Sequence, residues 1–172
     1  QALFMSVSVT VIGVILGVLL TSLMGYVLSR REYIANGFLS ILVFIPMVYS
    51  GGLVASYYIN TQLFKLSDTI WALILPICVS SFNVIVCRTF FSITIPDSLI
   101  ESAKIDGARQ MSIYFRIVLP LSLPVLATIG LFLCFSYWND WFQAMLYINK
   151  ESLLTLQAFL NRLLTDINML AQ

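Results

Sequence analysis

The side chains with the most obvious chemistry in this chain, its charged residues, are concentrated in one stretch. The chain has nine basic and eight acidic residues. Several lie within residues 97–120, which we term the polar segment: Asp97, Glu101, Lys104, Asp106, Arg109 and Arg116. The chain has no histidine, which excludes imidazole metal ligands and histidine-dependent catalytic triads within it. The apolar stretches hold no pair of acidic residues and no nucleophile with a neighbouring base. We therefore expect the polar segment to recognise a soluble partner rather than to catalyse a reaction.

The composition indicates the environment in which this segment works. Hydrophobic residues make up 60% of the chain and charged residues 10%, and the mean hydropathy is +0.96. Soluble domains carry roughly 25% charged residues, so the composition predicts a membrane protein. The net charge of +1 gives no basis for nucleic acid binding. Cys78, Cys87 and Cys134 lie in apolar runs without metal-site spacing, so we expect small, buried, inert side chains.

Four stretches with few or no charges are long enough to cross a bilayer, whose hydrocarbon core requires about 20 apolar residues in a helix. They predict an all-α, polytopic transmembrane helix bundle with spans near residues 4–28, 38–59, 69–91 and 117–138. Small residues in the first span predict close helix contacts: Gly13, Gly17 and Gly25.

Helix-breaking residues interrupt two of these spans. Pro46, Gly51 and Gly52 lie in the second span, and Pro76 lies in the third. A proline removes one backbone hydrogen bond and kinks a helix. Breaks in a membrane helix persist where neighbouring helices or a water-filled cavity satisfy the freed groups. The pattern is consistent with packing kinks or with bends that line a translocation path.

The basic residues predict the orientation, because an excess of Lys and Arg marks the cytoplasmic side. The ends of the predicted spans divide them into a larger set, Arg30, Arg31, Arg88, Lys104, Arg109 and Arg116, and a smaller set, Lys65, Lys150 and Arg162. The polar segment is therefore expected in the cytoplasm and both ends of the chain outside. Arg88 is expected to anchor its helix by reaching the headgroups, in preference to a transport role.

The polar segment has the pattern of two short helices joined by a turn. Residues around Pro96 are typical of a helix start, and Ser98 with Glu101 has the spacing of a capping box. The first helix should run to about Asp106, with Gly107 as the turn. The second should begin near Ala108, with apolar positions at helical spacing: Met111, Tyr114, Phe115 and Val118. Pro120 would lie where this helix enters the membrane.

These residues resemble the EAA motif of bacterial ABC importer permeases. The motif is E-A-A, three residues, G, nine residues and I-x-L-P, and it corresponds here to residues 101–103, Gly107 and residues 117–120. Ser102 replaces the second residue of the motif, a substitution of one small side chain by another. The resemblance implies the type I ABC importer permease fold.

Other segments resemble the carbohydrate branch of that family, and in particular the maltose-type second permease subunit. These are residues 88–91 (Arg-Thr-Phe-Phe), 105–108 and 138–140 (Trp-Asn-Asp). Residues 50–53 (Ser-Gly-Gly-Leu) are similar to the oligosaccharide and polygalacturonate subgroup. Such permeases usually have six spans, so residues 1–172 would form one permease domain that lacks the first and last of them.

The resemblance implies that residues 97–116, the coupling segment, dock in the cytoplasm on a separate ABC ATPase. The residues implied in coupling are Glu101, Ser102, Ala103, Asp106, Gly107, Ile117, Leu119 and Pro120. The chain has no G-x-x-x-x-G-K-[ST] phosphate loop, so we expect a transport subunit that is not an enzyme and has no cofactor of its own. ATP and magnesium would be bound by the ATPase. Further partners would be a second permease subunit and an extracellular or periplasmic solute-binding protein, at a bacterial cell membrane.

Alternatives remain open for individual residues. Glu101 could cap its helix, Asp106 could form the turn, and Lys104, Arg109 and Arg116 could set topology only. Aromatic and polar side chains at residues 137–141 suit either a sugar or an interfacial belt. The substrate-pathway candidates are Tyr49, Ser50, Gly51, Gly52, Tyr57, Asn83, Trp138, Asn139 and Asp140, with Tyr58 and Asn60 beside them.

The function also has alternatives. The first expectation is an ATP-driven importer of sugars or oligosaccharides. The others are a permease for peptides, amino acids or metals, and a membrane scaffold unrelated to ABC transporters. A secondary transporter is disfavoured because the middles of the spans hold no ionisable residues for ion coupling.

Overall fold

The computed structural model describes residues 1–30, 33, 36–49 and 51–170, without the side chain of Leu170. The described residues form helices and connecting loops. The α-helices are α1 (Ala2–Ser29), α2 (Asn36–Val48), α3 (Gly52–Tyr58), α4 (Ile70–Cys78), α5 (Ser81–Thr94), α6 (Asp97–Ile105), α7 (Gln110–Ile113), α8 (Leu119–Leu121), α9 (Leu123–Asn139), α10 (Phe142–Tyr147) and α11 (Leu156–Leu170). Two π-helical turns, Ile59–Leu63 and Tyr114–Val118, and a 3-10 turn, Glu151–Leu153, complete the order.

Among the described residues, one continuous helix is long and apolar enough to cross a membrane, against the four spans predicted. That helix is α1, with 28 residues. Two further spans are possible if α4 with α5, and α7–α8 with α9, each count as one interrupted span. The interruptions lie at residues 79–80 and at Ser122, where the chain bends by 81°. The first, third and fourth predicted spans therefore correspond to apolar helical segments, two of them broken.

The second predicted span, 38–59, is wrong as a single helix. Helix α2 ends at Val48 with Pro46 inside it, and α3 begins at Gly52. Gly52 has φ +78, a left-handed conformation that interrupts a right-handed helix and that glycine adopts without a steric penalty. Ser50 lies outside the described residues. Helix α2 therefore ends before the glycines that predicted a bend, and a separate helix begins at Gly52.

The chain contains two compact units. The first comprises residues 1–17, 50–78 and 131–172. In it, a Cβ added to Gly17 would lie 2.7 Å from the carbonyl oxygen of Cys78, and one added to Gly13 would lie 2.5 Å from the Tyr137 ring. The Tyr137 hydroxyl donates to the Ile74 carbonyl at 2.8 Å. Glycine at these positions of α1 therefore permits the close contacts that the sequence predicted.

The second unit comprises residues 18–49 and 79–130. Leu28, Val43 and Val84 form a buried apolar cluster between α1, α2 and α5. Gly25 lies against Cys87, whose Cβ would be 2.9 Å from an added Cβ. This unit contains the polar segment and the helices that support it.

The cysteines follow the sequence prediction in part. Cys78 and Cys87 are buried, whereas Cys134, expected to be buried, is exposed on α9. An apolar run predicts burial in a soluble core, but in a membrane helix the outward face is apolar as well. Sequence alone therefore does not identify which face of α9 is outside.

Candidate functional site

The first helix of the coupling segment is short, exposed and firmly terminated. Helix α6 ends at Ile105, and Gly107 follows with φ +80. The N–H of Gly107 donates to the Lys104 carbonyl at 3.0 Å, and that of Ala108 donates to the Ala103 carbonyl at 3.0 Å. This pair of bonds is the Schellman motif, which requires a left-handed residue after the helix. The predicted stop near Asp106 and the turn at Gly107 are confirmed.

The exposed face of α6 carries the residues that the motif singled out. Glu101 and Ser102 are exposed, Ala103 is half-buried, and Asp106 and Gly107 are exposed at the end of the helix. Of the side chains in α6, Ile100 is the buried one. An exposed helix held on one apolar contact suits docking with a partner.

The predicted capping box is wrong. The residue before α6 is Pro96, and no side chain caps the helix. Ser98 lies inside the helix instead of at its cap. The carboxylate of Asp97, the first residue of α6, forms an ion pair with Arg30. The start of this helix is therefore tied to α1 by a contact that local sequence rules do not predict.

The second helix of the polar segment is less regular than predicted. It begins at Gln110 and widens into the π-helical turn Tyr114–Val118. Ile113, Tyr114 and Val118 are buried, whereas Met111 and Phe115 are exposed. The single apolar face predicted from the spacing of these residues is therefore divided, since Phe115 lies in a π-turn, whose i to i+5 pattern displaces the face of a regular α-helix.

The remaining motif residues follow in or after this turn. Ile117 and Leu119 are half-buried, and Pro120 is exposed. Pro120 lies near the end of the helical stretch Gln110–Leu121, two residues after the π-helical turn. The motif residues thus extend from the exposed face of α6 to the point where the chain bends before α9.

Two residues of α1 and Arg30, which directly follows the helix, contact the polar segment, and the sequence did not identify them as functional. Ser22 and Tyr114 are hydrogen-bonded through their hydroxyls at 2.6 Å. Tyr26 donates to the Gln110 side chain at 3.3 Å. Arg30, expected only to set topology, is 7% exposed. The sequence signal for this arrangement was the four-residue spacing of Ser22, Tyr26 and Arg30, which places them on the same side of a helix.

The substrate-pathway candidates lie in both units. In the second unit, Tyr49 is exposed and Asn83 is buried. In the first unit, Gly51 and Gly52 are exposed. Tyr57 stacks on Tyr147, with ring centroids 5.8 Å apart and an interplanar angle of 10°.

Tyr147 is a residue that the sequence analysis missed. Its hydroxyl accepts a hydrogen bond from Asn60 at 3.0 Å. Its side chain is 3% exposed. The buried Tyr147 ring therefore supports one face of the Tyr57 ring, which itself remains exposed. Tyr58, also named as a candidate, is exposed.

The cluster at residues 137–141 divides into buried and exposed side chains. Tyr137 is buried, with its hydroxyl bound to the Ile74 carbonyl, so it serves packing. Trp138 is 38% exposed, and Asn139 is exposed and donates to the Phe135 carbonyl at 3.0 Å. Trp138 and Trp141, which is 41% exposed, are thus the aromatic members of the cluster with exposed rings.

Asp140 has a structural role at the end of α9. Its carboxylate accepts a hydrogen bond from the Gln143 N–H at 3.3 Å, at the start of α10. Burial raises the pKa of the Asp140 carboxyl above its ordinary value, and hydrogen bonds from the backbone of Gln143 and Phe142 oppose the rise. The carboxylate therefore orients α10, which follows it.

Comparison with known proteins identifies relatives over almost the whole chain. The polygalacturonan/rhamnogalacturonan transport system permease protein YtcP of Bacillus subtilis (strain 168) is 45% identical over 163 residues, which are 95% of this chain and 56% of that protein. Protein LplC of the same organism is 40% identical over 169 residues, 97% of this chain and 57% of that protein. The chain thus spans about half the length of the curated relatives it matches.

A solved structure also matches. It is the crystal structure of a bacterial ABC transporter involved in the import of the acidic polysaccharide alginate. The TM-score is 0.81 at 28% identity, with 94% of this chain and 59% of that chain covered. The match confirms the predicted importer permease fold, of which this chain supplies a part.

The family model agrees with these relatives. The model described as the binding-protein-dependent transport system inner membrane component matches residues 3–171. The predicted resemblance to ABC importer permeases is confirmed. This chain belongs to the family of binding-protein-dependent transport system inner membrane components.

Proposed function

We propose that this chain is the transmembrane permease subunit of an ATP-driven ABC importer that carries sugars or oligosaccharides into the cell. Its substrate class follows from its relatives, whose names include polygalacturonan/rhamnogalacturonan and melibiose/raffinose/stachyose transport. The choice among such cargoes would be set jointly with a solute-binding protein. The permease itself provides the path and the mechanical link to the energy source.

The observation that carries the proposal is the geometry of α6. The helix exposes Glu101 and Ser102, is closed by the Schellman motif at Gly107, and is fixed at its start by Asp97. A rigid exposed helix can transmit a displacement that a flexible loop would absorb. We propose that this helix docks on a separate cytoplasmic ATPase, which binds ATP and magnesium, and that Glu101 contacts it.

The orientation and the other partners are part of the same proposal. The coupling segment faces the cytoplasm of a bacterial inner membrane, as the distribution of basic residues predicts. A second permease subunit completes the pathway, and an extracellular or periplasmic solute-binding protein delivers the oligosaccharide. The exposed Trp138 and Tyr57 are candidate contacts for the cargo.

The test uses the full-length protein in its complete complex, reconstituted in lipid vesicles with a purified solute-binding protein. Uptake of labelled oligogalacturonides and ATP hydrolysis are measured together. We expect Glu101→Lys to lower the uptake per ATP hydrolysed by about tenfold, within the usual range of coupling between sites. The reason is that a reversed charge at an exposed docking contact weakens the link between permease and ATPase.

The matched control is Asp166→Lys, which reverses an exposed acidic residue in α11 and should leave the ratio unchanged. Unchanged coupling in Glu101→Lys would remove Glu101 from the docking surface. A wild-type complex that hydrolyses ATP but accumulates no oligosaccharide, while accumulating a peptide, amino acid or metal ion, would overturn the proposed substrate class.

A further inference from the structure

The end of α1 and the residue after it present a row of polar side chains to the polar segment. Ser22 and Tyr26 lie on one side of α1, and Arg30, the residue directly after the helix, continues their four-residue spacing. We term them the α1 row. Each contacts a different position, because Ser22 binds Tyr114 at 2.6 Å and Tyr26 donates to Gln110 at 3.3 Å. The row therefore meets the polar segment on both sides of the turn at Gly107, since Arg30 contacts the start of α6.

Arg30 is the charged member of this row, and its environment is unusual for a cation. Its side chain is 7% exposed, whereas that of Asp97 is 82% exposed. The guanidinium donates to the Asp97 carboxylate and, through both terminal nitrogens, to the Ile95 carbonyl at 3.4 Å. Its Cζ lies 5.6 Å from the centre of the Tyr26 ring. A buried cation requires such partners because its hydration is lost.

Both acceptors of the guanidinium lie at the start of α6. Asp97 is in its first turn, and Ile95 is two residues before Asp97. Ile95 is buried, so its carbonyl is fixed, and Asp97 is the first residue of the helix. No side chain caps α6, and Pro96 has no N–H to donate. The guanidinium therefore holds the start of α6 through its hydrogen bonds to Ile95 and Asp97. The Schellman motif holds the other end of the helix.

A cavity of about 70 Å³ adjoins this contact. Its lining includes Arg30, Asp97, Glu101 and Gln110. The residue proposed to contact the ATPase, Glu101, thus borders the same space as the buried guanidinium. The proposed docking contact, Glu101, and the residue that anchors α6, Arg30, are therefore neighbours in this unit.

We propose that Arg30 is a positioning residue for the coupling segment, because its buried guanidinium fastens the start of α6 to the cytoplasmic end of α1. This inference rests on the proposed function, in which α6 is displaced by the ATPase. With Arg30 in place, a displacement of α6 moves α1 with it. Without Arg30, α6 still docks but moves against α1, so ATP is consumed with less transport.

The first measurement is uptake per ATP hydrolysed by the complete complex containing full-length permease. We expect Arg30→Gln to lower this ratio by about fivefold or more, the lower end of the usual coupling range. Arg30→Lys keeps the charge and should restore at least half of the wild-type ratio. The control is Arg88→Gln, which removes an arginine of the same unit whose side chain makes no hydrogen bond or ion pair with the described residues.

The second measurement is hydrogen exchange of the same complexes without ATP. The amides of residues 97–105 should exchange about fivefold or more faster in Arg30→Gln, with residues 123–139 unchanged. Asp97→Asn, which leaves the buried arginine intact, should produce the same local change. This second variant keeps the inference testable if Arg30→Gln fails to assemble.

The outcomes separate the two proposals. An unchanged uptake ratio in Arg30→Gln, or unchanged exchange of residues 97–105 in Asp97→Asn, overturns the positioning role. A loss of uptake and ATP hydrolysis in equal proportion, with no rescue by lysine, shows a structural role only and also overturns it. Failure of wild-type vesicles to import any oligosaccharide overturns the proposed function, while the exchange measurement still decides whether Arg30 holds α6.

Discussion

At the scale of single residues, Asp68 shows how one carboxylate connects distant parts of the first unit. Its carboxylate accepts hydrogen bonds from the backbone N–H of Asn149 at 2.6 Å and of Lys150 at 3.1 Å. Its own N–H donates to the Tyr147 carbonyl at 3.0 Å. Asp68 has φ +57, a conformation that aspartate and asparagine tolerate better than most residues. These contacts fix the loop before α4 against the chain after α10.

We expect this contact to make stability depend on pH. The hydrogen bond from the Asn149 N–H holds the pKa of the Asp68 carboxyl below its ordinary value of 3.8. A group with a lowered folded pKa contributes stability above its unfolded pKa and loses it as the pH falls through the folded pKa. Asp68→Asn keeps the backbone conformation but has no carboxylate. Its unfolding midpoint should therefore be lower than that of the wild type near neutral pH, and the difference should shrink below about pH 4.

The measurement is thermal unfolding of the full chain in detergent as a function of pH. Asp166→Asn is the control, because Asp166 is exposed in α11 and its side chain forms no hydrogen bond with the described residues. The control should follow the wild type at every pH. Parallel curves for wild type and Asp68→Asn would contradict the assigned role.

Sequence reasoning at this scale succeeds where the cause is local. Gly107 was predicted as a turn because a left-handed conformation favours glycine at that one position. Arg30 was assigned only to topology, since its acceptors at Ile95 and Asp97 are 65 and 67 residues away. A charge count gives the side of the membrane, but it does not identify which arginine is buried.

At the scale of elements, the packing of α1 depends on the absence of side chains. A Cβ at Gly17 would lie 2.7 Å from the Cys78 carbonyl oxygen and 2.7 Å from the Leu133 side chain. Backbone cannot move aside as a flexible side chain can. We therefore expect Gly17→Ala to destabilise the full chain by about 1–3 kcal/mol, the usual cost of overpacking.

Gly37 provides a matched control for the same substitution. It lies in α2, and a Cβ there would meet nothing within 4 Å. Gly37→Ala should stabilise the chain by about 0.5–1 kcal/mol through reduced backbone entropy of the unfolded state. Thermal unfolding of both variants in the same detergent compares the two effects. Equal midpoints for the two variants would show that α1 and α4 do not pack as closely as described.

The elements also show where sequence patterns lose information. Helix periodicity predicted one apolar face for Met111, Tyr114, Phe115 and Val118, but the last three of these lie in a π-helical turn. A π-turn changes the number of residues per turn, so the face predicted for a regular α-helix is displaced. The break at Gly52 was predicted as a kink or bend, whereas the bend at Ser122 was not predicted.

At the scale of the whole molecule, hydropathy was sufficient to predict a membrane helix bundle. It was not sufficient to identify the residues of the substrate pathway. The apolar runs predicted a membrane helix bundle, and the family match over residues 3–171 agrees with it. The pathway candidates were chosen by residue type, and the structure divides them. Tyr137 is used in packing and Asp140 orients α10, whereas Trp138 remains exposed. The described side chains therefore narrow the candidates to those not already used by the fold.

Trp138 decides between a sugar contact and an interfacial belt. If its exposed face stacks on a sugar, Trp138→Ala should raise the concentration for half-maximal uptake about two- to tenfold, from about 0.5–1.5 kcal/mol for one aromatic contact. Trp138→Phe should recover part of the loss because it retains an aromatic face.

Trp71→Ala is the matched control, since Trp71 is 45% exposed on α4, outside the cluster at residues 137–141. Transport by full-length complexes in vesicles measures each value. Equal half-maximal concentrations for Trp138→Ala and the wild type would assign Trp138 to the belt. A side chain that only anchors the helix at the headgroups does not contact the cargo, so its removal leaves the half-maximal concentration unchanged.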